Sequence, residues 1–193
     1  MPLERHRHGH IQGEKDAPFR ATVQSNPEML TAVVITVSDS CARGLREDAS
    51  GPAVAELLAA HDFAVVLRMQ VEDERALIED ALRRGAERGQ LVVTTGGTGI
   101  TPRDVTPEAT AAVCERLLPG VAELMRARGQ ADTIFAVLSR GLCGLLGQAL
   151  ILNLPGSPRG AVASLEAALP VLPHALGLLK DARAPHPVGD PEQ

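Results

Sequence analysis

The densest chemical signal in the 193-residue chain is Thr94-Thr95-Gly96-Gly97-Thr98-Gly99, followed at once by Ile100-Thr101-Pro102-Arg103-Asp104-Val105-Thr106-Pro107. A tight turn needs one glycine, and here Gly96, Gly97 and Gly99 fall within four positions. Lacking Cβ atoms, they can take positive φ and turn successive amides inward, which makes an anion-binding nest. Thr95 and Thr98 add hydroxyl donors. Thr106-Pro107 opens a helix whose positive dipole end favours a nearby anion. Phosphate is the natural guest. The run is neither a Walker loop, since no Gly-Lys-Ser/Thr follows it, nor GxGxxG. Positive charge must therefore come from elsewhere, such as a metal ion, Arg103 or Arg140.

Asp73 and Asp104 are the natural metal candidates. Mg²⁺ takes hard oxygen ligands and often needs only one or two carboxylates beside nucleotide phosphates. Taken singly, Asp73 also suits a helix cap and Asp104 a loop-closing hydrogen bond. Arg140, after Ser139, reads either as a bidentate phosphate clamp or as a surface arginine. Ser157, in Leu154-Pro155-Gly156-Ser157-Pro158, reads as an N-cap or a ligand contact. Ser38-Asp39 reads as a turn, or as groups that orient a substrate hydroxyl or ring nitrogen. No histidine falls in these segments, and Cys41 has no paired base there, so a protein nucleophile is not indicated. His6, His8 and His10 alternate with basic residues and Gly, a pattern open to metal binding.

A parallel α/β scaffold would bring these distant segments together. Thr31 to Ser38, Phe63 to Val71, Leu91 to Thr95 and Ala149 to Leu154 read as strands rich in branched apolar residues. Helices are expected after Ser50 and from Asp73, the latter with Leu77, Ile78, Ala81 and Leu82 on one face and Gly89 as a stop. Others are expected from Thr106 through Val113 and Leu117, from Pro119 to Arg128, from Ser157-Pro158, and as far as about Lys180. Alternating strands and helices give βαβ units, a sheet covered on both faces, and ligands at its carboxyl edge. Ser38-Asp39, Asp73, Gly96 to Asp104 and Asn153 to Pro158 each follow a strand, so they are expected to converge on one crevice. Residues 1–30 read as a flexible extension, 31–181 as the folded domain and 182–193 as an irregular, Pro-rich tail.

Composition narrows the partners. Aromatic residues make up 2% of the chain, with no Trp or Tyr, and the net charge is −5. Neither favours nucleic acid, which wants stacking platforms and a basic face. Three widely spaced cysteines, Cys41, Cys114 and Cys143, with no CxxC pair, fit reduced thiols. No apolar run reaches spanning length and the N-terminus lacks a signal-peptide core. A cytoplasmic protein without membrane contact is expected.

The segments VSDSCARG and DASGP, TTGGTGITPRDVTPEAT, LSRG and LILNLPGSPRGA, in that order, resemble the MogA/MoaB family of molybdenum-cofactor biosynthesis over about residues 31–181. They are also similar to the G domains of the plant and animal fusion proteins of that pathway. The resemblance implies a three-layer α/β sandwich with a largely parallel sheet, and a homo-oligomer, either trimer or hexamer. It implies Mg²⁺-dependent transfer of AMP from ATP to the phosphate of molybdopterin, with Asp73 and Asp104 as catalytic, metal-binding acids. It places the Thr95–Gly99 loop, Ser139, Arg140, Pro155, Gly156 and Ser157 around the substrates, and Ser38, Asp39 and Thr106 are expected beside them. The triphosphate is expected against the Gly96–Gly99 amides. A molybdate-insertion protein is the expected downstream partner, and a non-catalytic molybdopterin carrier or scaffold is the alternative. The chain departs from the family where Glu72 precedes Asp73 and where Gly141-Leu142-Cys143-Gly144 follows Arg140.

Overall fold

The computed structural model describes residues 29–180. The expected extension over 1–30, apart from Met29 and Leu30, lies outside the described residues, as do His6, His8 and His10 and the tail over 182–193. Along the chain run β1 (Leu30–Val37), α1 (Asp39–Ala42), α2 (Ser50–Ala59), β2 (Phe63–Val71), α3 (Arg75–Ala86), β3 (Leu91–Thr95) and α4 (Thr106–Val113). Then come β4 (Arg116–Leu117), α5 (Pro119–Gly129), a 3-10 turn (Ile134–Leu138), β5 (Cys143–Leu146), β6 (Ala149–Leu154), α6 (Pro158–Ala168) and α7 (Leu172–Lys180).

The apolar runs become strands covered on both sides. Ala32 and Val34 of β1 pack with Val54 and Leu58 of α2, Met125 of α5, Leu165 of α6 and Leu172 of α7. Val33, Ile35 and Val37 point the other way, onto Ile78, Ala81 and Leu82 of α3 and Ala109 and Val113 of α4. Side chains alternate faces along a strand, so a strand between two helical layers carries apolar residues on both faces. The result is the expected three-layer α/β fold around a six-stranded sheet of order β2-β1-β3-β6-β5-β4. β2, β1, β3 and β6 are mutually parallel, and β5 is antiparallel to both β6 and β4. The chain leaves β1 toward β2 on one side and returns to β3 on the other. The carboxyl ends of β1 and β3 thus form a topological switch point, where a crevice opens.

The structure corrects several expectations. The helix expected from Thr106 through Leu117 stops at Val113. Cys114 turns extended, and the chain joins the sheet edge as β4, where the Glu115 and Leu118 amides reach the Leu145 and Cys143 carbonyls, both at 2.8 Å. Edge pairing satisfies those backbone groups outside the helix. The glycine-rich lead-in to the last strand is itself a strand: β5 and β6 form a hairpin across Gly147-Gln148, with Gly147 at φ +58°. α3 begins at Arg75, which leaves Asp73 on the preceding loop, and Leu77 is 48% exposed while Ile78, Ala81 and Leu82 are buried. No single described helix is long and apolar enough to cross a membrane. α6 and α7 meet that criterion only as a pair bent by 59°, and both turn apolar side chains into the core.

Candidate functional site

β3 ends in the middle of the sheet, and the chain enters the glycine loop with Gly96 at φ +97° and Gly97 at φ +62°. A Cβ on Gly96 would run into the Val37 carbonyl of the neighbouring strand, and one on Gly97 into the Thr106 hydroxyl. Backbone conformation and crowding together demand glycine there. Buried Thr106 holds the loop from the start of α4: its hydroxyl donates to the Gly96 carbonyl at 3.0 Å and its amide to that of Gly97 at 3.1 Å. The anion nest is narrower than expected, because the Gly96 amide donates to the Leu154 carbonyl at 3.1 Å and the Gly99 amide turns to Asp104. Among the described residues, the Gly97 and Thr98 amides are those that these bonds leave over.

The two candidate acids flank this loop. Asp39 and Asp73 exchange hydrogen bonds, the Asp39 amide donating to Asp73 Oδ2 at 2.9 Å and the Asp73 amide to Asp39 Oδ1 at 3.1 Å. Asp73 is therefore not a helix cap. Its Oδ1 lies 3.3 Å from where a Gly97 Cβ would stand. Burial pushes the Asp73 carboxyl above its ordinary range, and the charges of Asp39 and Asp104 add to the effect. Asp104 closes its own turn, Oδ2 accepting the Thr101 amide at 2.8 Å and the Thr101 hydroxyl at 2.6 Å. Burial raises its pKa too, but the Thr101 and Gly99 donors and the Arg140 charge outweigh that and hold it below the ordinary value.

Asp73 beside Gly97 and Asp104 beside Gly99 bring hard carboxylate oxygens to the loop from two sides, the donor chemistry that a Mg²⁺ ion takes. The like charges that raise the proton affinity of Asp73 are also what a divalent cation offsets. Among the described residues no cluster of three His, Cys, Asp or Glu side chains forms, so an ion held here would take its other ligands from substrate or water. Glu72 does not crowd the place, since Arg43 draws it outward through bonds of 3.1 and 2.8 Å.

Neither expected arginine lines the two cavities beside the loop. Arg103 pairs with Asp39 Oδ2 at 2.5 Å and Glu74 at 2.8 Å, and the Asp39 carboxyl is held below its usual range by that bond. Arg140 pairs with Glu108 and donates to the Gly99 and Asp104 carbonyls at 2.6 and 2.5 Å. With an acid on α4 and two loop carbonyls as its partners, the Arg140 guanidinium ties the glycine loop to α4. Thr106 holds the loop directly, whereas Asp39 joins Arg103 to the Asp73 loop.

The single expected crevice is two adjoining cavities. One, of about 630 Å³, is lined by Thr98, Gly99, Asp104, Ser139 and Pro155 together with apolar Ala122, Met125, Phe135 and Leu138. The other, of about 590 Å³, lies at the β1–β3 switch and is lined by Ser38, Arg46, Asp48, Ser50, Asp73, Thr95 and Gly96. Gly97, Gly156 and Ser157 line both and form the divide. Ser157 also caps α6, accepting the Gly160 amide at 3.2 Å, so its two readings hold together. The Thr95 hydroxyl bonds that of Ser50 at 2.9 Å.

Two further residues shape the site. Asp48 accepts the Thr36 hydroxyl at 2.7 Å and the Gly51 amide at 2.9 Å. Its place three residues before a helical glycine is a capping spacing, a signal available in the sequence. Buried Asn153 donates to the hydroxyls of Thr94 and Thr110 at 3.1 and 2.9 Å, and a polar residue inside the apolar run ALILNL was its signal. Burial pushes the thiols of Cys114 and Cys143 up to about 11 and about 12, and neither lines a cavity.

A family model described as a probable molybdopterin binding domain matches residues 33–174. The chain is 42% identical over 153 residues to a molybdopterin adenylyltransferase of Helicobacter pylori (strain ATCC 700392 / 26695), covering 76% of this chain and 85% of that protein. It is 40% identical over 158 residues to the molybdenum cofactor synthesis protein cinnamon of Drosophila melanogaster, covering 80% of this chain and only 26% of that longer protein. Among solved structures, the molybdopterin biosynthesis enzyme MoaB from Thermus thermophilus superposes with a TM-score of 0.74 at 51% identity, covering 78% of this chain and 96% of that one.

Proposed function

Because the chain belongs to the MogA/MoaB family of molybdopterin-binding proteins of molybdenum-cofactor biosynthesis, we propose that it is a molybdopterin adenylyltransferase, moving AMP from ATP to the phosphate of molybdopterin. The observation that carries this reading is the shared wall of Gly97, Gly156 and Ser157 between two cavities. A transfer needs two binding volumes that meet, whereas a carrier needs one. At about 630 and 590 Å³ each suits a small organic substrate, since such sites run to about 300–1,000 Å³.

In the proposed reaction a molybdopterin phosphate oxygen attacks the α-phosphorus of ATP. The bond from that phosphorus to the oxygen bridging the β-phosphate breaks, and pyrophosphate leaves with the electron pair. The nucleophile arrives ionised at neutral pH, so no residue has to remove a proton, in keeping with the lack of histidine in either cavity lining. Catalysis then consists of positioning and charge neutralisation. The Gly97 and Thr98 amides donate to phosphate oxygens. Asp73 and Asp104 would hold Mg²⁺, which supplies neutralisation of the phosphate charge. Ser38, Thr95, Ser139 and Pro155 wall the substrates, while Thr106 and Arg140 keep the loop in shape and Asp39 joins Arg103 to the Asp73 loop. Assembly into a trimer or hexamer belongs to the same proposal and is read by light scattering.

Incubating the protein with molybdopterin, ATP and Mg²⁺ tests the reaction. Pyrophosphate and an AMP-linked pterin, identified by mass spectrometry, are the expected products. Pterin binding without ATP-dependent product would establish the carrier instead.

A further inference from the structure

We infer that Arg103, acting through Asp39, is a positioning residue that fixes Asp73 relative to Asp104. The inference rests on the reading of those two acids as a metal-binding pair.

Asp73 lies on the loop after β2 and Asp104 in the turn after β3, with all of α3 and β3 between them in the chain. Each is tied locally: Asp104 to Thr101, and Asp73 to Asp39. Neither tie alone sets the gap between the acids. Arg103 does so, because its backbone is bonded to Asp104 while its side chain crosses to the other loops. One branch of the guanidinium reaches Asp39 Oδ2 at 2.5 Å, and the other reaches Glu74 Oε1 at 2.8 Å.

Those contacts bracket Asp73. Glu74 is its chain neighbour. Asp39 holds it twice, accepting its amide at 3.1 Å on Oδ1 and donating its own amide to Asp73 Oδ2 at 2.9 Å. The loops after β1, β2 and β3 are therefore linked through a single side chain. A planar fork bound to two carboxylates fixes direction as well as distance, which a point charge on a lysine does not. The fork is 53% exposed, so the ion pairs add little to folding stability. Their consequence falls on geometry, and a site of this kind is sensitive to small displacements of its charged groups.

The test titrates Mn²⁺ into the full chain in the presence of α,β-methylene-ATP, with electron paramagnetic resonance reporting free ion. Wild type, Arg103→Gln, Arg103→Lys and Asp104→Ala are compared, with thermal unfolding run alongside. Arg103→Gln is expected to weaken Mn²⁺ binding about 10-fold, the loss typical of removing a partner that orients a metal ligand, with the unfolding midpoint nearly unchanged. Arg103→Lys, which can keep one of the two carboxylate contacts, should fall in between. In turnover assays the Mg²⁺ concentration for half-activity should rise while the KM for molybdopterin stays put. If Asp104→Ala weakens Mn²⁺ binding and Arg103→Gln does not, the strut is overturned and the metal pair stands. If Asp104→Ala has no effect either, the metal pair falls and the strut with it. A drop in unfolding midpoint that accounts for the whole binding loss would make Arg103 structural only and overturn the inference.

Discussion

The Asp48 carboxylate and the Thr36 hydroxyl meet at 2.7 Å beside the cavity at the β1–β3 switch. The other carboxylate oxygen takes the Gly51 amide at 2.9 Å, so one side chain joins the end of β1 to the start of α2. A Cβ on Gly51 would stand 2.5 Å from the Thr36 hydroxyl oxygen, which explains the glycine. Burial raises the Asp48 pKa, but the Thr36 hydroxyl, the Gly51 amide, the Ser50 hydroxyl and the Arg68 charge outweigh it and hold it below the ordinary value.

A carboxyl depressed in this way contributes stability that is present above its unfolded pKa of about 4 and lost as pH falls through the lower folded value. Asp48→Asn should therefore cost about 1 kcal/mol at neutral pH in urea unfolding. The difference from wild type should shrink in acid. An equal deficit at neutral and strongly acidic pH would contradict this assignment of the charge.

Gly97 and Gly177 should respond in opposite directions to alanine. At Gly97 the left-handed backbone alone costs about 1–2 kcal/mol, and the new methyl meets the Thr106 hydroxyl and lies 3.3 Å from Asp73 Oδ1. Stability and turnover should both fall. Gly177, inside α7, has nothing within 4 Å of the place a methyl would take, and Gly177→Ala should stabilise by about 0.5–1 kcal/mol. Denaturant midpoints for the two variants check both signs.

Asp73 trades stability for its place at the site. A carboxyl whose folded pKa is raised favours folding fully below its unfolded pKa, and that contribution is lost as pH rises through the folded value. With no divalent ion present, Asp73→Asn should raise the unfolding midpoint at neutral pH. The gain should disappear below about pH 4, where both states of the wild type are protonated. A midpoint below wild type across the whole range would show that burial and the neighbouring charges of Asp39 and Asp104 do not strain this group.

Legibility in the sequence followed locality. β3 and β6 were readable to the residue because burial on both faces leaves short, nearly continuous apolar runs, edge strand β2 because its branched apolar residues persist up to Val71 even where Arg68 and Gln70 interrupt them, and Gly96 and Gly97 because only glycine suits a loop so crowded. β4 and β5 were not, since Arg116–Leu117 is too short to carry a pattern and Gly144 interrupts Cys143–Leu146. The roles of Arg103 and Arg140 were hidden for a different reason. Each is decided by carboxylates or carbonyls 29 to 64 positions away in the chain, such as Asp39 for Arg103 and Glu108 for Arg140. The division into two cavities likewise depends on Gly156 packing against the Gly96 backbone, where a Cβ on Gly156 would lie 3.2 Å from the Gly96 Cα.

Turnover of Asp104→Ala bears most directly on the central claim, that two acids flanking the Gly97–Thr98 amides serve phosphoryl transfer. With molybdopterin binding shown intact by titration, pyrophosphate release from ATP and molybdopterin in saturating Mg²⁺ should fall on the order of 10²-fold or more, as for loss of other groups that stabilise transition-state charge. Release at the wild-type rate would contradict the claim.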